Sequence, residues 1–347
     1  MRKIAIFNHK GGVSKTTTTF NLGWSLASLG KKVLLVDADS QCNLTQYSMG
    51  INKFEEFYES ENPNNLHSAL IPVFKSQPKL IEAIECIKLK ENLLLCPGHI
   101  DFTENEMQMG VSMQLSSALG SMQNLPGAIN YIIEKTASKY KADYVLFDMN
   151  PSLSAINQNI LISSDYFIVP SSPDVFSSMA VKSLAHVLPS WEKWAISARD
   201  SFKDATYKIS SITPKFLGYT INDFNLSQGR PQINFASFME RISSEIKENL
   251  VKQLGKYQMV LKDEYYQTAY TNMKSKANNI EKYYDYYCLA QISNFNKLIA
   301  LSHKFSLPIF ELKLKHDAHE GQIRTLNWFK LLFRIFAERV VELTSHE

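Results

Sequence analysis

Cysteine is scarce. Only Cys42, Cys86, Cys96 and Cys288 occur among 347 residues, and no two form a C-x-x-C pair. Such scatter excludes a disulfide framework, argues against a zinc site, and fits free thiols in a reducing cytosol. No apolar run approaches the ~20 residues of a membrane span. Met1-Arg2-Lys3 leads directly into a short apolar stretch without the layout of a signal peptide. A cytoplasmic location is therefore the expectation. Large charge of one sign is also missing: a net charge of +3 does not mark a nucleic-acid binder, so any basic surface must be local. What remains is ordinary soluble material, 45% apolar and 20% charged. The length suits one large α/β domain with decorations, or two domains.

The most informative stretch is Asn8-His9-Lys10-Gly11-Gly12-Val13-Ser14-Lys15-Thr16-Thr17. It follows an apolar run, Ile4 to Phe7, and precedes a helical pattern from Thr16 to Leu29. Strand, glycine-bearing turn and helix make a phosphate-binding loop, in which backbone N–H groups and the positive helix end face an anion. Lys15 fits the lysine that reaches the β- and γ-phosphates, and Thr16 the hydroxyl that ligates Mg²⁺. Gly11, Gly12, Val13, Ser14 and Thr17 complete the candidate cradle. The two glycine positions of G-x-x-x-x-G-K-[ST] hold His9 and Ser14 instead. A bland alternative is a Gly-Gly turn between a strand and a basic helix.

Val33-Leu34-Leu35-Val36 reads as a parallel strand buried on both faces and ends in Asp37-Ala38-Asp39. Tyr144-Val145-Leu146-Phe147 ends likewise in Asp148, the layout of an aspartate that holds Mg²⁺ directly or through water. Carboxylates at the C-terminal ends of parallel strands beside a phosphate loop are placed for metal and attacking water.

The spacing Lys-Gly-Gly-x-x-Lys-Thr-Thr, with Lys10 five residues before Lys15, resembles the deviant phosphate loop of the ParA/MinD family of ATPases. Asp37-Ala38-Asp39-Ser40-Gln41-Cys42-Asn43 resembles the family's Asp-x-Asp-Pro-Gln-x-Asn segment, with Ser40 in place of proline. Met149-Asn150-Pro151-Ser152-Leu153 and Leu93-Leu94-Leu95-Cys96-Pro97-Gly98-His99 resemble further family segments. The resemblance implies ATP and Mg²⁺ as ligands and a homodimer closed by ATP, with Lys10 crossing to the partner's nucleotide. It implies that Asp39 positions or activates water and that Asp37 supports the Mg²⁺ shell. Ser14 departs from the family's glycine. In the resembling proteins the loops after Phe216–Asn222 and after a later strand hold the adenine. Asn222 is the candidate base contact, with a turn-forming asparagine as the alternative, and Pro308 in Leu307–Leu312 matches the segment that closes the base pocket.

The fold class implied is α/β: a doubly wound, mostly parallel sheet of the P-loop NTPase type with an additional helical insertion. Strands are expected at 3–8, 33–36, 93–96, 144–148, 166–170 and 216–222. Helices are expected at 15–29, 67–70, 79–87, over most of 105–139, and at 176–187. Asn62 to Asn65 is a turn cluster, and Gly110, Gly120 and Leu125-Pro126-Gly127 are expected helix breaks. One domain, 1–347, carries a Tyr-rich elaboration at about 229–300, with helices at 235–254 and roughly 265–301. Its tyrosines and lysines (Tyr265, Tyr266, Tyr270, Tyr283, Tyr284, Tyr286, Tyr287, Lys274, Lys276, Lys282, Lys297) pack amphipathic helices, stack on nucleic acid, or meet a protein partner; packing is preferred. His316-Asp317-Ala318-His319-Glu320 could place two imidazoles on one face, but a solvated loop is the ordinary reading.

A last helix, about 320–343, has one narrow polar stripe and broad apolar faces, as expected of a helix docked in the core rather than one gripping a membrane. Arg324, Lys330 and Arg334 would then be exposed, near where ParA proteins meet DNA phosphates.

The function implied is a ParA-like ATPase: ATP closes a dimer that binds DNA without sequence preference, and hydrolysis, stimulated by a ParB-type partner, releases it. The cargo would be a plasmid, a chromosome region or another assembly, with the ATP form associated with the nucleoid. With the phosphate loop starting at the tenth residue, autoregulation through an N-terminal DNA-reading domain is not expected. The alternatives are a MinD-like switch on a membrane and a ParA-like ATPase of a phage-defence or mobile-element module. A nitrogenase-reductase-like relative is disfavoured, because Cys42, Cys86 and Cys96 lack the positions needed to hold a cluster.

Overall fold

The computed structural model describes residues 1–60, 64–115, 122–227, 230–276, 285–313, 316 and 320–346. Among these, Asn64 and Asn65 belong to the expected turn cluster and His316 to the His-x-x-His segment; Asn62, Pro63, Gly120, Lys282, Tyr283, Tyr284, Asp317, Ala318 and His319 lie outside them.

Short runs, most of them largely apolar, form the sheet. They are β1 (Arg2–Ile6), β2 (Val33–Asp37), β3 (Ile87–Lys90), β4 (Leu93–Cys96), β5 (Tyr144–Asp148), β6 (Tyr166–Ser171), β7 (Lys215–Phe224) and β10 (Cys288–Ser293). β8 (Leu226–Ser227) and β9 (Arg230–Pro231) make a separate two-stranded ladder. The main sheet has the order β10-β7-β6-β1-β5-β2-β4-β3, and every pair is parallel except β3 with β4. β2, β5 and β6 are buried along their whole length, because helices cover both faces. The helices are α1 (Lys15–Ser28), α2 (Asn43–Met49), α3 (Ile51–Glu59), α4 (Leu66–Phe74), α5 (Glu104–Leu115), α6 (Leu125–Tyr140), α7 (Ala155–Ile162), α8 (Val175–Ser201), α9 (Ile233–Glu245), α10 (Lys252–Gly255), α11 (Asp263–Lys276), α12 (Lys297–Phe305) and α13 (Ile323–Leu343). β1 lies between β5 and β6, so the chain winds outward in both directions from it. The carboxyl ends of β1, β5 and β2 meet at that reversal, the usual ligand crevice of an open α/β sheet.

Four expectations differ from the structure. Residues 79–86 form no helix. There the backbone N–H groups of Ile81, Ile84 and Cys86 donate to the Tyr207 hydroxyl (3.1 Å), Thr136 Oγ1 (3.0 Å) and the Tyr140 hydroxyl (3.0 Å), so side chains take the place of helical carbonyls. Gly110 lies inside α5 rather than breaking it. α8 continues through Pro189 to Ser201, because Leu184, Leu188, Trp191, Ala195 and Ala198 keep one face buried. The expected helix at 265–301 is instead α11, an edge strand and α12: Cys288–Ser293 pairs in parallel with β7. The elaboration therefore extends the central sheet as well as adding helices.

Among the described tyrosines of this region, Tyr266 and Tyr287 are buried, Tyr265 and Tyr270 are half-buried, and Tyr286 is exposed. Tyr266 is buried against Tyr287, with ring centroids 4.8 Å apart, and its hydroxyl donates to the Phe216 carbonyl. α13 docks through Leu326, Phe329, Leu332, Phe333, Phe336 and Val340, and it packs on α1 and β10. Among the described residues no helix is long and apolar enough to cross a membrane.

Candidate functional site

The loop after β1 is fixed before any ligand arrives. Buried Asn8 donates from Nδ2 to the Pro170 carbonyl at the end of β6 (2.8 Å) and accepts the Lys10 N–H at Oδ1 (3.0 Å). Gly12 and Ser14 both take positive φ, 70° and 59°. Ser14 occupies the left-handed region in which a glycine costs least, which explains why the resembling family has glycine there. The backbone still completes its turn: the Ser14 carbonyl accepts the Thr18 N–H at 2.9 Å, starting α1.

The Lys15 side chain folds back over this loop, and its ammonium donates to the Lys10 carbonyl at 3.1 Å. Burial brings Lys15 down to about 8, against the opposing pull of the Asp148 and Asp39 carboxylates. Lys10 makes a different contact. Its ammonium lies 2.6 Å from Asp174 Oδ2, while Asp174 Oδ1 caps α8 by accepting the Ser177 N–H at 2.8 Å.

Asp37 and Asp148 are register partners at the ends of adjacent strands. Asp37 is fully buried and committed: Oδ2 accepts the N–H and the hydroxyl of Thr45 (2.8 and 2.6 Å), and Oδ1 accepts the Asp39 N–H (3.3 Å). Burial raises its pKa, and the bonds to Thr45 oppose the rise. Asp148 is equally buried. The Thr16 hydroxyl is close enough to favour its charged form, but not at hydrogen-bond geometry, and both carboxylate oxygens lack a partner. Burial, and then the charge of Asp37, raise Asp148 well above the ordinary range. A buried carboxylate without a donor is costly unless something pairs with it. Behind a phosphate loop, oxygen-only donors beside the Thr16 hydroxyl fit a hard divalent cation such as Mg²⁺.

Two adjoining cavities lie over the start of α1. The first, about 250 Å³, is lined by Lys15, Thr16, Asp39, Gln41, Tyr47 and Pro151 among others. The second, about 190 Å³, is lined by Asn222, Asp223, Ile292, Asn294, Phe295 and Phe333 among others. Both are bounded by Ser14 and Thr17. A polar chamber at the phosphate loop opens beside one walled by two phenyl rings, which is the shape of a nucleotide lying across a helix N-terminus. Asn222 donates from Nδ2 to the Val13 carbonyl (2.9 Å) and to Thr18 Oγ1 (3.2 Å); its buried Oδ1 has no partner. The amide is thus held with an acceptor free for a base N–H.

The structure brings together Gly12, Val13, Ser14, Lys15, Thr16, Thr17 and Asp39 around the first cavity, and Asn222 at the second. Asp37 and Asp148 stand behind it. Pro308 is not among the residues lining either cavity. The Ile309 N–H next to it donates to Asn21 Oδ1 (3.1 Å), which holds that segment against α1. The cavity beside Asn222 is walled instead by Phe295 and Phe333. Sequence reasoning missed both, along with Tyr47, whose ring stacks on His303 at 3.7 Å between centroids. Asn150, which replaces a family proline, accepts two bonds from Asn157 Nδ2, at its carbonyl (2.9 Å) and Oδ1 (2.8 Å), so an amide clamp takes over the stiffening role.

Comparison with known proteins agrees with this geometry. A family model described as an AAA domain matches residues 1–196, more than half of the chain. An uncharacterized protein of Methanocaldococcus jannaschii is 31% identical over 66% of this chain and 76% of its own length. The sporulation initiation inhibitor protein Soj of Bacillus subtilis is 33% identical over 48% of this chain and 56% of its own length. The chain belongs to the ParA-like family of partition ATPases.

The structure of apo McdA from Cyanthece has the ParA-like fold of this chain, with a TM-score of 0.61 over 98% of this chain and 99% of that one at 18% identity. The chain spans little more than half the length of Soj. Arg324, Lys330 and Arg334 are exposed on α13. Arg334 pairs with Glu338 at 3.0 Å, and Glu338 also pairs with Lys276 at 2.8 Å. Among the described residues of this ParA-like protein, Arg324 and Lys330 have no such pair.

Proposed function

We propose that this ParA-like chain is an ATP-switched dimer that binds DNA without sequence preference in its ATP state and releases it on hydrolysis. The observation that carries the reading is the pair of adjoining cavities over Ser14 and Thr17, with Lys15 and Asp39 at one end and the oriented amide of Asn222 at the other. Among the described residues the Asp39 carboxylate accepts only the Gln41 N–H (3.0 Å), and it faces the phosphate chamber, so its second oxygen can hold the attacking water. Asp148 and Thr16 would hold Mg²⁺, which supplies charge neutralisation at the phosphates when bound; Asp37 would act from behind, keeping Thr45 and the Asp39 backbone in place.

Dimer closure rests on Lys10, the residue that would reach the partner's nucleotide. Exposed Leu153, Val175, Phe176 and Met179 cluster on loops and helix starts at the same carboxyl end of the sheet, an apolar face suited to a second copy. Arg324, Lys330 and Arg334 supply phosphate contacts, which makes retention on DNA fall steeply with salt. A ParB-type protein is the activating partner in this reading, and the cargo is a plasmid, a chromosome region or another assembly. In the cell the ATP form would sit on the nucleoid.

The test is retention on DNA at graded salt with ATP, ADP or no nucleotide, for wild type and Lys10→Ala. Retention that depends on ATP and is lost in Lys10→Ala supports the reading. Retention indifferent to nucleotide overturns the DNA switch. Normal ATP-dependent dimerisation and hydrolysis by Lys10→Ala overturns the cross-dimer role. Co-sedimentation with liposomes, rather than with DNA, would move the switch to a membrane surface.

A further inference from the structure

Away from the nucleotide chamber, His67, His99 and Asp101 each present one donor atom, and all three atoms lie within 4.8 Å of one another. They come from two places that share no local sequence. His67 is in the first turn of α4, and His99 and Asp101 are in the turn that follows β4. The imidazoles face each other with centroids 5.2 Å apart and planes inclined by 15°. Tyr58 covers the far side of His99 at 5.3 Å, and its hydroxyl donates to the Gly98 carbonyl. Asn105 fixes the other ring through its side-chain amide, 2.9 Å from His67 Nδ1. Both rings are half-buried, and Asp101 faces solvent.

We propose that His67, His99 and Asp101 form a binding site for a divalent transition ion of the zinc class, separate from the Mg²⁺ position beside Asp148. Two imidazoles and one carboxylate with an open side are a donor set that zinc and its neighbours accept. Tetrahedral coordination at zinc bond lengths needs donor atoms ~3.4 Å apart. Rotation of the exposed Asp101 side chain, with a small tilt of the rings, closes the remaining gap. With the Asn105 amide turned to accept from Nδ1–H, Nε2 of His67 is left for metal, the arrangement in which an outer partner orients a ligand.

The expectation against zinc rested on cysteine spacing and does not bear on this pair of histidines. An ion here would tie α4 to the loop after β4. That loop already reaches the nucleotide site, because the Gly98 N–H donates to Thr45 Oγ1 (3.0 Å) and the same hydroxyl donates to Asp37 (2.6 Å).

The experiment is titration of metal-stripped, nucleotide-free protein with Zn²⁺, and with Co²⁺ for its visible absorption, in excess Mg²⁺ so that the hard-ion site is occupied. One equivalent of tight Zn²⁺ and a Co²⁺ spectrum of low-symmetry nitrogen and oxygen ligation are expected. His67→Ala and His99→Ala should each weaken Zn²⁺ by at least ~100-fold, and Asn105→Ala by roughly 10-fold. Asp101→Ala, a change at an exposed side chain, should weaken binding while leaving the circular dichroism unchanged, so it remains readable if a histidine variant fails to fold. Absence of stoichiometric uptake by wild type, or uptake by the Asp101 and His99 variants undiminished from wild type, overturns the site. Neither result touches the ATP reading, because these residues lie outside both nucleotide cavities.

Discussion

In the single chain, Lys10 is held by Asp174 of its own subunit at 2.6 Å, with the two side chains 18% and 38% exposed. A lysine that must cross to a partner has to leave this contact first, so the pair opposes dimerisation. Partly exposed ion pairs contribute ~0.5–1 kcal/mol each. Closing a symmetric dimer breaks two of them, for a cost of ~1–2 kcal/mol, or ~5–30-fold in the dimer dissociation constant. Asp174→Asn isolates the effect. The amide oxygen can still cap α8 by accepting the Ser177 N–H, while the NH₂ group now faces the ammonium and repels it. The prediction is tighter ATP-dependent dimerisation by that factor, measured by sedimentation velocity in an Asp39→Ala background that blocks turnover, and the gain should shrink as salt rises. An unchanged or weakened dimer, with α8 intact by circular dichroism, would refute the reasoning.

Four further outcomes follow from the same geometry. Asp39→Ala should leave ATP binding and dimerisation in place and cut hydrolysis by ~100-fold or more, read by steady-state phosphate release with equilibrium nucleotide binding as control. Ser14→Gly should relieve the left-handed strain at φ 59° and stabilise the protein by ~1 kcal/mol in urea unfolding. Gly127→Ala should destabilise by roughly 1–3 kcal/mol, because a Cβ there would sit 1.9 Å from the Tyr207 carbonyl oxygen, a backbone atom that cannot swing away. Burial raises the carboxyl of Glu192, so its contribution to stability is full below the unfolded value of about 4.3 and declines as pH rises through the raised folded value. Glu192→Gln should therefore be the more stable form at neutral pH in thermal melts, with the gap closing on acidification.

The phosphate end of the site was legible because its chemistry is local. Lys10 to Thr17, Asp39 and Asp148 lie in short segments whose strand, turn and helix order can be read from neighbours in sequence. The base end was not, because its walls are tertiary. Cys288–Ser293 sits in a Tyr- and Lys-rich stretch with helical periodicity and becomes a strand only by pairing with β7. Phe295 follows that strand, and Phe333 reads as one more apolar position of a docked helix; nothing in either context marks a ring that faces a ligand. The stretch at 79–86 failed for a related reason. Its helical pattern is real, but three distant hydroxyls satisfy its N–H groups and win over local propensity. Ser14, odd in the sequence, takes a positive φ, the conformation for which the resembling family keeps glycine.

The two rims of the sheet also limit how copies of the chain can meet. One rim is β3, four residues long, reversed relative to its neighbour, with Lys88 exposed and Lys90 drawn back to the Trp24 carbonyl and Ser28 hydroxyl of α1. The other is β10, overlaid by α13, with the buried Arg339 guanidinium donating to the Cys288 carbonyl. Neither offers a long bare row of N–H and C=O groups, so joining sheets edge to edge is discouraged. In the proposed dimer, self-association would fall instead at the end of the molecule that carries the phosphate loop, where hydrolysis would undo the contact.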